Sequence, residues 1–163
     1  MALFDAFLKI DGIKGESLDD KHKGEIDVLS FSWGVTQAAS SATGGGGGSG
    51  KAKFDDISIV KKVDASSPLL MLNCATGTHI KEVNFVVRKA GGTQLEYLKI
   101  KLTDALIADV RPGGTTEGTT IPTEELSLSF SKLEYSYQPQ GADGKAQGGP
   151  ILAGWDVKAN KKV

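Results

Sequence analysis

Between Glu25 and Gln37, bulky and small residues alternate along the chain. Leu29, Phe31, Trp33 and Val35 fall on one face of a strand, and Ser30, Ser32, Gly34 and Thr36 on the other. Strand side chains repeat with a period of two, so the bulky set is buried together. The opposite face carries small hydroxyls and glycine, where an ordinary outer face more often carries Lys, Glu or Arg. Leu126, Leu128 and Phe130, alternating with Ser127, Ser129 and Ser131, repeat the pattern. Both strands read as a wall, with a core behind and a smooth polar surface in front. The plain alternative is that serines are simply common on exposed strands.

Other strands follow from the same period. Phe4, Ala6, Leu8 and Ile10 open the chain, and Lys14 to Gly24 is a long polar connection. Ile57 and Ile59 face away from Ser58 in a strand over Phe54 to Val63. Val83, Phe85 and Val87 lead through Arg88-Lys89-Ala90-Gly91-Gly92-Thr93, a hairpin turn, into Leu98, Ile100 and Leu102. The inward phase then moves to Leu106, Ala108 and Val110. A second phase change, after Lys132, makes Leu133, Tyr135 and Tyr137 the apolar positions and predicts a β-bulge. Ile151, Trp155 and Val157 mark a last strand.

One helix is expected, over about Ser67–Thr76. Ser67 suits the N-cap, Pro68 the first helical position and Gly77 the position just past the end. Leu69, Leu72 and Ala75, with Leu70 or Cys74 beside them, form its apolar stripe. Seven or eight strands and one helix predict a mainly β fold. It is a two-sheet sandwich or β-barrel-like single domain spanning 1–163, with an extended glycine-rich loop at 38–53.

Composition fits this reading. The 163 residues are enough for one domain with a real core, and 21 glycines are well above the usual ~7%. A formal net charge of −1 lacks the basic footprint of a nucleic-acid binder. The single cysteine, Cys74, excludes an internal disulfide. The start of the chain lacks the basic region of a secretory leader, and Asp5 and Lys9 interrupt its apolar run. No stretch approaches the ~20 apolar residues of a membrane span, so no membrane insertion is expected.

Candidate chemistry is sparse. Gly45 to Lys51 matches most of a phosphate-binding loop, but Ala52 replaces the hydroxyl that would meet magnesium. The residues that follow read as strand, where phosphate binding needs a helix N-terminus. Cys74 and His79 could pair as nucleophile and base, yet no Cys or His cluster has ligand spacing. The adjacent carboxylates Asp19-Asp20, Asp55-Asp56 and Glu124-Glu125 point to opposite faces on strands. No catalytic residue, cofactor or metal is expected.

The order and spacing of several short motifs resemble the hemolysin-coregulated protein (Hcp) family, the tube component of bacterial type VI secretion systems. They are Lys14-Gly15-Glu16-Ser17, the strand Glu25 to Gln37, the glycine loop ending at Lys51, and Ser67-Pro68-Leu69. Arg88-Lys89-Ala90-Gly91-Gly92, Glu96-Tyr97-Leu98, Tyr137-Gln138-Pro139-Gln140, Ala142-Asp143-Gly144 and Gly154-Trp155 continue the match. The resemblance implies a barrel-like subunit that forms homohexameric rings. The rings stack into a tube that a contractile sheath expels behind a spike, with effectors carried inside. It also implies residence in the bacterial cytoplasm before firing, then export without a cleaved signal peptide. Some members carry a toxin domain after the tube domain, for which a chain stopping at Val163 leaves no room.

On this reading Ser30, Ser32, Thr36, Ser127, Ser129 and Ser131 are the channel-facing candidates. Gly44, Gly45, Gly46, Gly47, Gly48, Ser49 and Gly50, with Gly91 and Gly92, are candidates for ring or ring-stacking contacts. A phage-like contractile tail tube protein would use the same walls. A monomeric β-sandwich binding a carbohydrate or protein would instead gather exposed aromatics around one concave site.

Overall fold

The computed structural model describes residues 3–37, 51–92, 94–118 and 121–163. Its strands are β1 (Phe4–Ile10), β2 (Ile26–Asp27), β3 (Ser30–Ser32), β4 (Val35–Thr36), β5 (Lys53–Phe54) and β6 (Ile57–Lys62). After helix α1 (Ser67–Thr76) come β7 (His79–Lys89), β8 (Glu96–Gly113), β9 (Thr123–Tyr137), β10 (Ile151–Asp156) and β11 (Lys161–Lys162). The fold is mainly β with one helix, as the pattern predicts. There are more strands than expected because the segment Glu25 to Gln37 changes partners and is counted as β2, β3 and β4, β5 is separate from β6, and the short β11 follows β10.

That change of partner closes the barrel. β2 pairs with β1, while β3 pairs with β6. At the switch the Val28 N–H donates to the Ala6 carbonyl at 2.9 Å, and the next N–H, Leu29, donates to Val60 at 2.8 Å. From β1 the ladder continues through β7, β8 and β9 and returns to β6. β10 and β11 extend from the far half of β9, and β4 and β5 form a separate two-stranded ribbon. Inside lies one apolar core, with Leu8, Ile26, Ile59, Phe85, Ile100, Leu102, Leu126 and Leu128 among its members.

The long β8–β9 hairpin bends between the two halves of the barrel. Ala105 and Ile107 turn inward, whereas Leu106 is half-buried and Ala108 exposed. The expected inward positions Leu106 and Ala108 are therefore corrected. β9 changes phase at the same place, because Leu102 pairs with Leu133 and Ala105 with Phe130 in unbroken register. The two strands turn over together, so no bulge is needed at Lys132. The register shift falls between Ile107 and Asp109 instead.

Asp104 holds the bend, with a positive φ of 52°. Its carboxylate accepts from Lys158 Nζ at 2.7 Å, Ser131 Oγ at 2.8 Å and His79 Nδ1 at 2.8 Å. These bonds, Lys158 foremost, hold the carboxyl well below the usual range.

Helix α1 covers the expected range, but its cap lies one residue earlier than expected, which moves Pro68 from the first to the second helical position. Ser66 occupies the N-cap position, without a side-chain capping bond. Ser67 is diverted: its hydroxyl accepts from the Asp64 N–H at 3.0 Å and donates to Glu124. Glu124 and Asp64 are both partners of Lys61, a side chain with no exposed surface. Capping is thus sacrificed to complete the shell of a buried ion pair. Gly77, at φ 66°, ends the helix as expected. The expected apolar stripe is corrected too: Leu70 is buried and Cys74 half-buried against the core, while Leu69, Leu72 and Ala75 are exposed. The helix touches the barrel along one narrow row, one turn apart.

Candidate functional site

Paired residues on neighbouring antiparallel strands share a face. Across β3, β6, β9 and the end of β8, one row runs Ser32, Ser58, Ser127 and Asp109. The next runs Ser30, Val60, Glu125 and Arg111. Behind them, Phe31, Ile59, Leu126 and Val110 point to the core. The front is a shallow polar wall whose charges are tied down. Ser58 Oγ donates to Glu125 at 2.8 Å, and Arg111 Nε donates to Asp109 at 2.7 Å. The Asp109 bond and charge hold the Arg111 guanidinium all the more firmly in its charged form.

Sequence reasoning named part of this surface. Ser30, Ser32 and Ser127 are brought together, and Ser129 continues outward along β9. Ser131 is engaged by Asp104 at the bend, and Thr36 lies exposed on the separate ribbon. Glu125, Asp109 and Arg111 were missed. Only the cross-strand register reveals them, because β8 meets the wall through a bulge that no local periodicity displays.

Two edges of this wall carry no strand among the described residues. β3 pairs on one side only, with β6. β7 accompanies β8 no further than the pair His79 and Leu106, so one edge of Ile107 to Gly113 has no strand partner, and helix α1 packs against β8. Unpaired edges of this kind are association surfaces.

Of the glycine candidates, Gly44, Gly45, Gly46, Gly47, Gly48 and Gly50, with Ser49, lie outside the described residues. Gly91 and Gly92 sit at the exposed tip of the β7–β8 hairpin. Gly91 has a φ of 109°, a conformation that side chains resist, and a Cβ at either position would meet nothing within 4 Å. After Lys51 the chain enters strand β5, so the helix required by a phosphate loop is missing. Among the described residues, no group of three His, Cys, Asp or Glu could hold a metal. No helix there is long and apolar enough to cross a membrane.

A closed, mainly β single domain with a flanking helix and a hydroxyl-lined wall defines the class. Residues 7–137 match the family described as "Type VI secretion system effector, Hcp". The chain belongs to the Hcp family of type VI secretion proteins. It is 45% identical over 157 residues to Protein hcp1 of Pseudomonas aeruginosa, covering 96% of each chain. It also resembles the solved Hcp1 of Salmonella typhimurium, at 42% identity and a TM-score of 0.84, over 99% of this chain and 100% of that one. A second solved structure, of a type six secretion system protein, gives 30% identity and a TM-score of 0.92, over 98% and 99% of the two chains.

Proposed function

We propose that this chain is the structural subunit of a type VI secretion tube, in which hexameric rings stack and effectors travel in the channel. The observation that carries the reading is the four-stranded wall with a hydroxyl-rich front and two edges that lack a partner strand. Joining copies head to tail covers both edges repeatedly, and a rotation that closes yields a ring without free ends. The wall then faces the channel, offering effectors short hydroxyls and internally paired charges. Gly91–Gly92 serves ring stacking at the hairpin tip, and the stretch Gly44 to Gly50 serves contact with a neighbouring subunit or ring. Spike and sheath proteins are the other partners, and the chain performs no catalysis.

The test replaces Ser32 or Ser127 with Trp in the intact protein. Rings should persist in electron micrographs while co-purification of effectors falls. Unchanged effector retention, with rings verified, would place this wall outside the channel.

A further inference from the structure

His22 lies buried on the connection between β1 and β2, against the outer face of β1 and β7. Its ring stacks on Phe7, with centroids 4.2 Å apart and planes 8° from parallel. Nδ1 is 2.6 Å from Glu25 Oε2, on the same connection. Nε2 is 2.8 Å from Glu96 Oε1, the first residue of β8. Ionised carboxylate oxygens only accept hydrogen bonds, and a neutral imidazole has one N–H to give. Both contacts are satisfied together only when the ring carries two protons.

The surrounding charges complete the picture. Arg88 of β7 donates to Asp19 of the connection at 3.0 Å and reaches Asp5 of β1 at 3.5 Å. Its guanidinium carbon is 4.9 Å from the centre of the Phe7 ring. Lys99 of β8 holds the second oxygen of Glu96 at 3.3 Å. Burial pushes the Glu96 carboxyl up, but bonds from His22 and Lys99 outweigh it and keep the group below its ordinary value. The connection itself is a small folded unit. Gly15 donates to Gly24 at 2.9 Å, Gly24 to Ser17 at 2.8 Å and Ser17 to Glu25 at 3.0 Å.

We propose that His22 is a proton-operated clasp: the doubly protonated ring fastens the Lys14 to Glu25 connection to the base of the β7–β8 hairpin, and loss of one ring proton releases it. The base is defined by the pair Arg88 and Glu96, and its tip by Gly91–Gly92. The clasp is independent of the ring reading, because every group in it belongs to one subunit. Its hold needs both ring protons, because each ring nitrogen faces a carboxylate oxygen that can only accept.

Hydrogen–deuterium exchange on the intact protein, corrected for the intrinsic pH dependence of exchange, tests this directly. Exchange at the His22 ring carbon reports its protonation in the same sample. Protection over Gly15 to Glu25 should fall on the order of tenfold as the ring deprotonates, the scale of one lost hydrogen bond to a charged group. Protection in the β8–β9 ladder should not change. In Glu96→Gln the carboxamide can donate to the neutral ring, so the drop should disappear. Constant wild-type protection through the ring titration, or an equal drop in Glu96→Gln, overturns the clasp.

Discussion

The two outer faces of this barrel are finished in opposite ways. Over β1 and β7, the chain folds its own connection across the sheet and fills the gap with Phe7, His22 and Arg88. Over β3, β6, β9 and the end of β8, the front is left bare, with hydroxyls, mutually paired charges and two edges that lack a partner strand. A face sealed by its own chain contributes to stability. A face left bare while its back is tightly packed is the one proposed here to serve assembly. Changes to the first should therefore register in folding, and changes to the second in association.

The largest effect is expected behind the wall. Lys61→Ala leaves the buried Glu124 carboxylate without its cation, which costs about 3–5 kcal/mol. Urea unfolding should show it, and Lys61→Met with Glu124→Leu should recover much of the loss. If Lys61→Ala unfolds like the wild type, the buried pair does not anchor the wall.

Next comes the sealed face. Arg88→Ala removes the donor to Asp19 and the cover over Phe7, at a cost of about 1–3 kcal/mol. On the bare face, Ser127→Lys should move stability by no more than about 0.5 kcal/mol while altering assembly or cargo retention. A large loss of stability there would erase the contrast between the faces.

The smallest effect lies at the seam. Burial pushes the Asp27 carboxyl up, aided by Asp64, Asp19 and Asp5 and opposed by Ser17. A carboxyl raised in the fold favours its protonated form. Stability therefore falls as pH rises from the ordinary Asp value through the raised one, and the penalty persists above it. Asp27→Asn should unfold at slightly higher denaturant than wild type at neutral pH, and the gap should close on acidification. A gap that is the same at both pH values would assign the effect to something other than titration.

Much of this architecture was legible in the chain. Period-two alternation marked the wall strands, because Phe31, Ile59, Leu126 and Leu128 all serve the core. Leu29 and Val35, expected inward with Phe31 and Trp33, are instead exposed, because the segment changes partners on either side of β3. Gly77 marked the helix end, because only a left-handed residue stops the helix there. Where reading failed, a distant residue decided the outcome. Ser67 looked like a cap, but Lys61 and Glu124 claimed its hydroxyl. Leu106 and Ala108 looked inward until Asp104 turned two strands over together. Nothing in the polar connection Lys14 to Gly24 marks His22 as buried, because its partner Glu96 comes from β8, far along the chain.

The central claim is that copies of the chain join at the strand edges of the bare wall and leave its front to the channel. Light scattering on the intact chain across micromolar concentrations, with electron micrographs of the same sample, measures this most directly. The account predicts annular particles with a mass about six times the 17.1 kDa chain, a closed cyclic assembly. A protein that stays monomeric throughout that range would contradict it.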